Sequence, residues 1–445
     1  MGADMLQIGL SGTKVARGAL EVTANNIANS TTEGYVRRSV VSSEVKSASS
    51  VMRPGDISLS GARISAIHRN ADAFRQAEVR RTGSDSARAA TELNALENIE
   101  SSIEGARIYD LLVDYEAALS ELAADPTDPS LRAAVMSSAS NMAGSFRIAD
   151  DSLDAVASGL QYEVAGEVEE VNVITGELAG INLRIGRTAE GTSDRATLLD
   201  QRDGLLEKLA GKVDLQTTFN AIGQVEVRAG GASGELLVQG GNTFALGSTT
   251  AANGTVSFDV GGTAVSLNGG SLAGKALGLQ AIADNRSSLD TLANGIMTTV
   301  NSAQTNGAAL NGSAGQALFT GTGASDMALA FTDGSLLATA PAGSPAGSTN
   351  PGNLTALRNA FEANGHAQGV SNLVFSISAQ VAGKQITNEA LTAIASSARI
   401  ALDQQSGVDL DQEAANLVRY QQAFQASGRV MQVATEVFDT LLGIG

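Results

Sequence analysis

The residues able to do chemistry in this chain are few, and one cluster of them has a familiar spacing. The segment GGSLAGKA (269–276) sets Gly269, Gly274 and Lys275 as in a phosphate-binding P-loop. In such a loop backbone N–H groups cradle the phosphates, the lysine reaches them, and a following Ser or Thr hydroxyl holds Mg²⁺. Ala276 occupies that last position, so the metal-holding hydroxyl is missing. An alternative reading, a nucleotide-binding enzyme using a degenerate P-loop, rests on this match alone. A second cluster, Asp409, Asp411 and Glu413, has the look of a cation site, but acids at a helix start are explained by the positive end of the helix dipole. There are two histidines, His68 and His366, and no cysteine. That excludes disulfides, thiol catalysis and Cys-ligated metal, and leaves little for a Ser-His-Asp triad. No catalytic, metal-binding or cofactor-binding residue is assigned, and the chain reads as no enzyme.

Composition bounds the rest. The chain has 445 residues, 43% hydrophobic and only 4% aromatic, with no Trp and a formal charge of −18. That length supports two or three domains with real cores, built on small side chains and close backbone approach. The negative charge argues against nucleic acid or an anionic membrane as partner. Residues 1–82 are the exception, mildly basic against an acidic remainder. No run of 18 apolar residues is present, and the amino end lacks the basic and apolar regions of a signal peptide. Export, if it occurs, is expected without a cleaved Sec signal.

The elements that must position any site alternate in texture. From 83 to 211 the pattern is helical: Asp128-Pro129 starts a helix, one or two long helices follow, and ATLLDQRDGLLEKLAGKV closes another at Gly211. From 212 the period changes to two. QVEVRAG, ELLVQGG, TVSFDVGG and TAVSLNGG read as short strands between Gly-rich turns, a small antiparallel β unit inserted between helices. Helical texture returns at 275–304, a loop-rich span follows, and helices over 353–365 and 370–442 finish the chain. The expected fold class is mainly α with an inserted β domain. Its expected parts are a terminal coiled-coil segment (1–55 with 400–445), a helical bundle (56–211 with 272–310 and 351–399), a β-rich outer insertion (212–271) and a loop-rich insertion (311–350).

The two ends carry the clearest signal. Leu410, Leu417, Phe424, Met431 and Phe438 recur every seven residues, with Ala414, Gln421, Gly428, Thr435 and Leu442 between them. A seven-residue apolar repeat is a coiled-coil seam. A second seam joins Ala423, Val430 and Val437 to Tyr420, Ala434 and Leu441, and Asp409 with Gln412 forms a capping box at the start. At the amino end Ile8, Val15 and Val22 are also seven apart, Asn29 is the next position, and Leu6, Leu10, Leu20 and Ile27 make another stripe. A helix apolar on two sides must be covered on two sides. Pairing the first and last helices covers one side of each, so the termini are expected to order fully only when neighbouring subunits cover the other.

Both ends also resemble a known family. ANNIANSTTEGYVRR (24–38) is similar to the amino-terminal signature of the bacterial flagellar axial proteins, the rod, hook and junction subunits. SGVDLDQEAANLVRYQQAFQASGRVMQVATEVFDTLLGIG (406–445) is similar to their carboxyl-terminal signature. LLDQRDGLLEKLA, LVQGG and VNSAQTNGAALNGSAGQALF favour the hook-associated junction members over a hook or rod subunit, the nearest alternative. The family commonly has Pro where Glu33 stands, and the outer part of this chain is short for the family. The resemblance implies a structural protein whose terminal helices pair in the inner tube, with a helical wall and an outward β insertion. It implies passage through the flagellar type III export apparatus, with an export chaperone, to the extracellular hook-filament junction. The implied partners are copies of itself in a ring, hook protein, and the second hook-filament junction protein.

Within VTANNIANSTTEGY (22–35) three asparagines crowd a helix that they suit poorly. Asn29 falls in the Ile8–Val15–Val22 series, where a buried amide fixes register at some cost. Asn25 and Asn26 fall near the point where the helix should stop. The resemblance assigns Gly34 to the turn out of the inner helix and Tyr35 to its anchor. The expected assembly residues are Ile8, Val15, Val22, Asn25, Asn26, Asn29, Gly34, Tyr35, Leu410, Leu417, Phe424, Met431 and Phe438.

Overall fold

The computed structural model describes residues 2–32, 34–46, 59–231 and 233–443; Glu33 lies outside them. The helices are α1 (Gly2–Ala28), α2 (Ala73–Gly105), α3 (Ile108–Ala124), α4 (Pro129–Arg187), α5 (Ser193–Lys212), α6 (Gly270–Thr305), α7 (Gly352–Asn364), α8 (His366–Ser406) and α9 (Leu410–Gly443). The main strands are β1 (Arg38–Lys46), β2 (Leu59–Arg69), β3 (Leu215–Phe219), β4 (Val225–Ala229), β5 (Glu235–Gln239), β6 (Asn242–Thr243), β7 (Leu246–Thr250), β8 (Val256–Val260) and β9 (Thr263–Val265). The protein is mainly α with small antiparallel β elements. Among the described residues no helix is long and apolar enough to cross a membrane.

Local chemistry accounts for the helix starts. Asp128 Oδ1 accepts from the backbone N–H groups of Ser130 (2.6 Å) and Leu131 (3.0 Å), with Pro129 at the first helical position. From there α4 runs unbroken for 59 residues. Asp409 Oδ1 does the same for Asp411 (3.0 Å) and Gln412 (3.1 Å) at the head of α9. Such caps satisfy N–H groups that have no partner inside the helix. The closing helical stretch is broken at Gly407, so the span 370–442 holds two helices, α8 and α9, the second starting at the Asp409 cap.

Two compact units make up the chain: residues 1–85, 170–246 and 392–445 in the first, and 86–169 with 247–391 in the second. In the first, β1 and β2 form an antiparallel hairpin, Arg38 opposite Arg69, with register breaks after Val41 and Glu44. The sequence reading has no strands there, although SVVSSEV and ARISAIHR carry the β-branched residues of half-buried strands. A sheet in the order β3-β4-β5-β6 buries Val225, Val227, Ala229, Leu237 and Val238, while Ile181, Ile185 and Leu198 make a cluster on α4 and α5.

The second unit is a helical assembly with a core of Ile99, Leu112, Leu119, Met142, Phe146, Leu153, Leu289 and Ile296. Tyr115 lies within it, its ring 6.4 Å from Phe319 and 5.9 Å from Phe361. Arg132 is fully buried there without a carboxylate: it donates to the carbonyls of Pro126 (2.7 Å), Gly334 (3.0 Å) and Leu337 (3.0 Å) and to Thr339 Oγ1 (2.8 Å). One arginine thus fixes the loop 334–339 on the head of α4. A separate three-stranded sheet, β7-β8-β9, completes this unit apart from Leu246, so the strands of 212–271 make two sheets rather than one.

The P-loop match is corrected by the fold. Residues 270–276 form the first turns of α6, not a loop around an anion. The Lys275 ammonium is buried against Glu163 (2.8 Å) and Glu167 (3.1 Å). A Cβ on Gly274 would lie 2.5 Å from the Arg88 carbonyl of α2, so that glycine serves helix packing.

Candidate assembly interface

The first and last helices pair along their length. Gly9 faces Met431 and Ser427, Gly12 faces Ser427, and Val22 and Thr23 share a cleft with Asn416 and Tyr420. Numbers fall on α9 as they rise on α1, so the pair is antiparallel. A Cβ built on Gly9 would come 2.6 Å from Met431 Cγ, and one on Gly12 2.6 Å from Ser427 Oγ. These two glycines let the backbones approach in a way no larger residue permits.

The covered side of α1 keeps the seven-residue period but sits one residue beyond the Ile8 series. Gly9, Ala16 and Thr23 form one row, and Gly12, Ala19 and Asn26 the other; all but Gly12 are buried. Ile8 is exposed and Val15 and Val22 are half-buried. On α9 the covered row is Glu413, Tyr420, Ser427 and Ala434, beside Leu417 and Met431. Leu410, Phe424 and Phe438 remain exposed, as do Met5, Leu6, Leu10, Val430, Val433 and Val437. Small residues of α1 therefore close the pair against Leu417, Ser427, Met431 and Ala434, while Leu6, Ile8, Leu10, Leu410, Phe424 and Phe438 stay uncovered.

The asparagines divide by role. Asn25 Nδ2 donates to Glu21 O (2.9 Å) within α1, and Asn29 Nδ2, in the turn that follows, donates to Asn25 O (2.9 Å). Asn29 is half-buried and accepts from Thr32 Oγ1 (3.3 Å). Asn26 is the buried one. It donates to Arg38 O (2.8 Å) and accepts from Arg38 N (3.1 Å) and the Tyr35 hydroxyl (2.8 Å). Gly34 sits between them at φ 76°, in the left-handed region. Burial raises the Tyr35 pKa above its ordinary value, keeping the hydroxyl a donor.

From this exit the chain is tied down by charge. Arg37 pairs with the buried Glu413 at 2.6 Å, joining the exit to the head of α9, and its N–H donates to Ser406 O. Arg38 and Arg69 share Asp200 (2.8 and 2.6 Å), and Arg69 and Arg202 share Asp203 (2.8 and 2.6 Å). Burial raises the Asp200 pKa despite Arg69 and Arg38, whereas at Asp203 burial is outweighed by Arg202 and Arg69 and the pKa falls. LLDQRDGLLEKLA thus supplies both carboxylates that anchor the hairpin strands. Glu413, read from sequence as one of three helix-start acids, finds its cation 376 residues away. No sequence signal links Glu413 to Arg37; the pairing exists only once α1 and α9 are docked.

The comparisons with known proteins follow the same anatomy. Residues 93–319 match the family model of the flagellar hook-associated protein FlgK helical domain. Residues 6–35 match flagella basal body rod protein, and 403–444 match the flagellar basal body rod FlgEFG protein C-terminal family. Flagellar hook-associated protein 1 of Bacillus subtilis is 25% identical over an alignment covering 100% of this chain and 98% of that protein. The protein of the same name in Escherichia coli is 25% identical over 71% of this chain and 60% of its own length. The flagellar hook junction protein FlgK from Burkholderia pseudomallei shares the fold over 55% of this chain and 46% of that one, at a TM-score of 0.50 and 22% identity. With its terminal rod-type segments flanking a FlgK helical domain that spans half its length, the chain belongs to the flagellar hook-associated protein FlgK family, the structural junction proteins of the bacterial flagellum.

Proposed function

We propose that this chain joins hook to filament as a ring of identical copies, as a structural subunit without catalysis. The terminal segments, 1–55 with 400–445, are its assembly elements. Hook protein lies on one side of the ring, and the second hook-filament junction protein on the other. The chain reaches this extracellular site through the flagellar type III apparatus, escorted by an export chaperone. The observation that carries the reading is the antiparallel α1–α9 pair, closed by Gly9, Gly12, Ala16 and Ala19 while Leu6, Ile8, Leu10, Phe424, Val430 and Phe438 stay uncovered. Each such side chain gains roughly 1.5–3 kcal/mol on burial, so contact with further copies is the favourable fate of that surface.

Deleting the gene and imaging hooks and filaments tests this. The expected cells keep hooks, lose filaments and release filament subunit into the medium. Normal filaments would overturn the proposal, and missing hooks would transfer the role to a hook or rod subunit.

A further inference from the structure

The corner between α7 and α8, in the second unit, is held by a histidine that the assembly role leaves unused. α7 ends at Asn364, Gly365 turns the chain at φ 62° in the left-handed region, and His366 is the first residue of α8. His366 is only 7% exposed. Its Nε2 lies 2.9 Å from Thr299 Oγ1 on α6, and the same hydroxyl oxygen accepts from Asn364 Nδ2 (3.1 Å). The ring meets Phe361 of α7 edge-on, centroids 5.0 Å apart, and a Cβ on Gly295 would lie 3.4 Å from its Cε1. Both sides of the turn are thus tied to one threonine of α6.

The site suits a neutral ring and not a charged one. Burial lowers the His366 pKa below its ordinary value, because an imidazolium there must shed its water. A cation at this position also faces the head of α8, the positive end of the helix dipole. No carboxylate on the packed elements offsets either cost. On α6 the preceding charged residue, Asp290, accepts from the Ala324 N–H (2.7 Å). On α7 Arg358 and Glu362 are exposed, and Glu116 of α3 interacts with Arg358. Tyr115 of α3, reached through Phe361, is itself buried and kept protonated by that burial. On α8 the first charged residue is Lys384, paired with Glu92 of α2 (2.6 Å).

Little else holds the head of α8. Between His366 and Leu391 its buried residues are Val370 and Ile377 alone. Elements with few buried contacts open locally at low cost. We infer that His366 is an acid-released latch: the neutral ring keeps the α7–α8 corner on α6, and a proton on it frees the head of α8. The folded pKa is lowered, so the latch holds fully above the ordinary 6.5 and weakens as pH falls from there through the folded value. One proton shifts the opening equilibrium by at most about tenfold per pH unit. This goes beyond the hook-filament role and stands or falls separately from it.

The chain has no cysteine and one other histidine, the exposed His68, so thiol and imidazole probes both read cleanly. NMR of the full-length native chain, labelled at histidine Cε1, is expected to show His366 titrating below 6.5. A midpoint at or above 6.5 overturns the inference. Opening is read by thiol labelling of V370C, buried one turn after His366, relative to A382C on the exposed side of the same helix. The reference corrects for the thiolate fraction at each pH. The ratio of the two rates is expected to rise as pH falls from 7 to 5, by up to about tenfold per unit. With His366→Gln added, which keeps a polar partner for Thr299 and takes up no proton, the ratio is expected to stay level. A level ratio with His366 in place, or a rise that survives His366→Gln, overturns the inference.

Discussion

Asn26 and Arg38 face each other as two residues of neighbouring strands would, although Asn26 is in a helix. Its amide donates to Arg38 O at 2.8 Å and accepts from Arg38 N at 3.1 Å. The same two-point pairing recurs from Asn172 to Leu246, Asn182 to Val225 and Asn301 to Phe319. A side-chain amide reproduces the donor and acceptor of a peptide, so one asparagine satisfies both backbone groups at an otherwise unpaired strand or loop position. This chain uses it repeatedly to fix extended segments onto helices.

Replacing Asn26 by Ala strands the Arg38 backbone pair and the Tyr35 hydroxyl. A loss of about 1–3 kcal/mol in unfolding free energy is expected, read by urea denaturation. Asn29→Ala removes only a helix-end bond near the surface and is expected to cost within about 0.5 kcal/mol. Equal losses from both would contradict the division of roles between them.

Gly9→Leu puts a side chain where Met431 Cγ and the Ser427 carbonyl already lie. The expected result is separation of α1 from α9, seen as faster proteolysis of both ends with residues 86–169 and 247–391 still resistant. Overpacking of this kind typically costs about 1–3 kcal/mol. Ile8→Ser, on the exposed side, is expected to leave the isolated chain's proteolysis pattern unchanged.

Asp200 and Asp203 predict opposite pH limbs. The Asp203 pKa is lowered in the fold, so its contribution is present above the ordinary 3.8 and is lost as pH falls below it toward the folded value. The Asp200 pKa is raised, so its proton-linked contribution is full below 3.8 and is lost as pH rises through the folded value. Asp203→Asn is therefore expected to lower neutral-pH stability and flatten the acid limb below 3.8. Asp200→Asn should instead remove the decline just above it. Denaturation series at stepped pH separate the two.

Arg132 holds three carbonyls and a hydroxyl from a fully buried position. Arg132→Ala leaves those acceptors without their donor and is expected to destabilise the second unit by about 3 kcal/mol or more. Calorimetry should show that loss, and Arg132→Lys, with fewer donors and no fork, should recover only part of it.

The start of α4, the caps at Asp128 and Asp409, and four of the strands in 212–271 were legible because each is written in local chemistry: a proline after an aspartate, a period of two between glycines. Whether one or two helices followed Pro129 was not legible in that way. The rod-type ends were legible for the same reason, as contiguous motifs. The hairpin β1–β2 was obscured because its alternation is short and mixed with serines, and its pairing partners lie up to 31 residues apart.

The sequence by itself determined that both ends are heptad helices, that the middle is helical with a β insertion, and that no cysteine chemistry is available. Only the tertiary structure decided which heptad row is covered. A seven-residue repeat fixes a period, whereas the side that closes depends on how near the partner backbone can come, and that is set by Gly9 and Gly12 meeting Ser427 and Met431. The same holds for Asn26 over Asn29, Glu413 on Arg37, and Lys275 on Glu163. In each case the side chain's chemistry was visible from the start, and its partner was brought within reach only by the packing of distant segments.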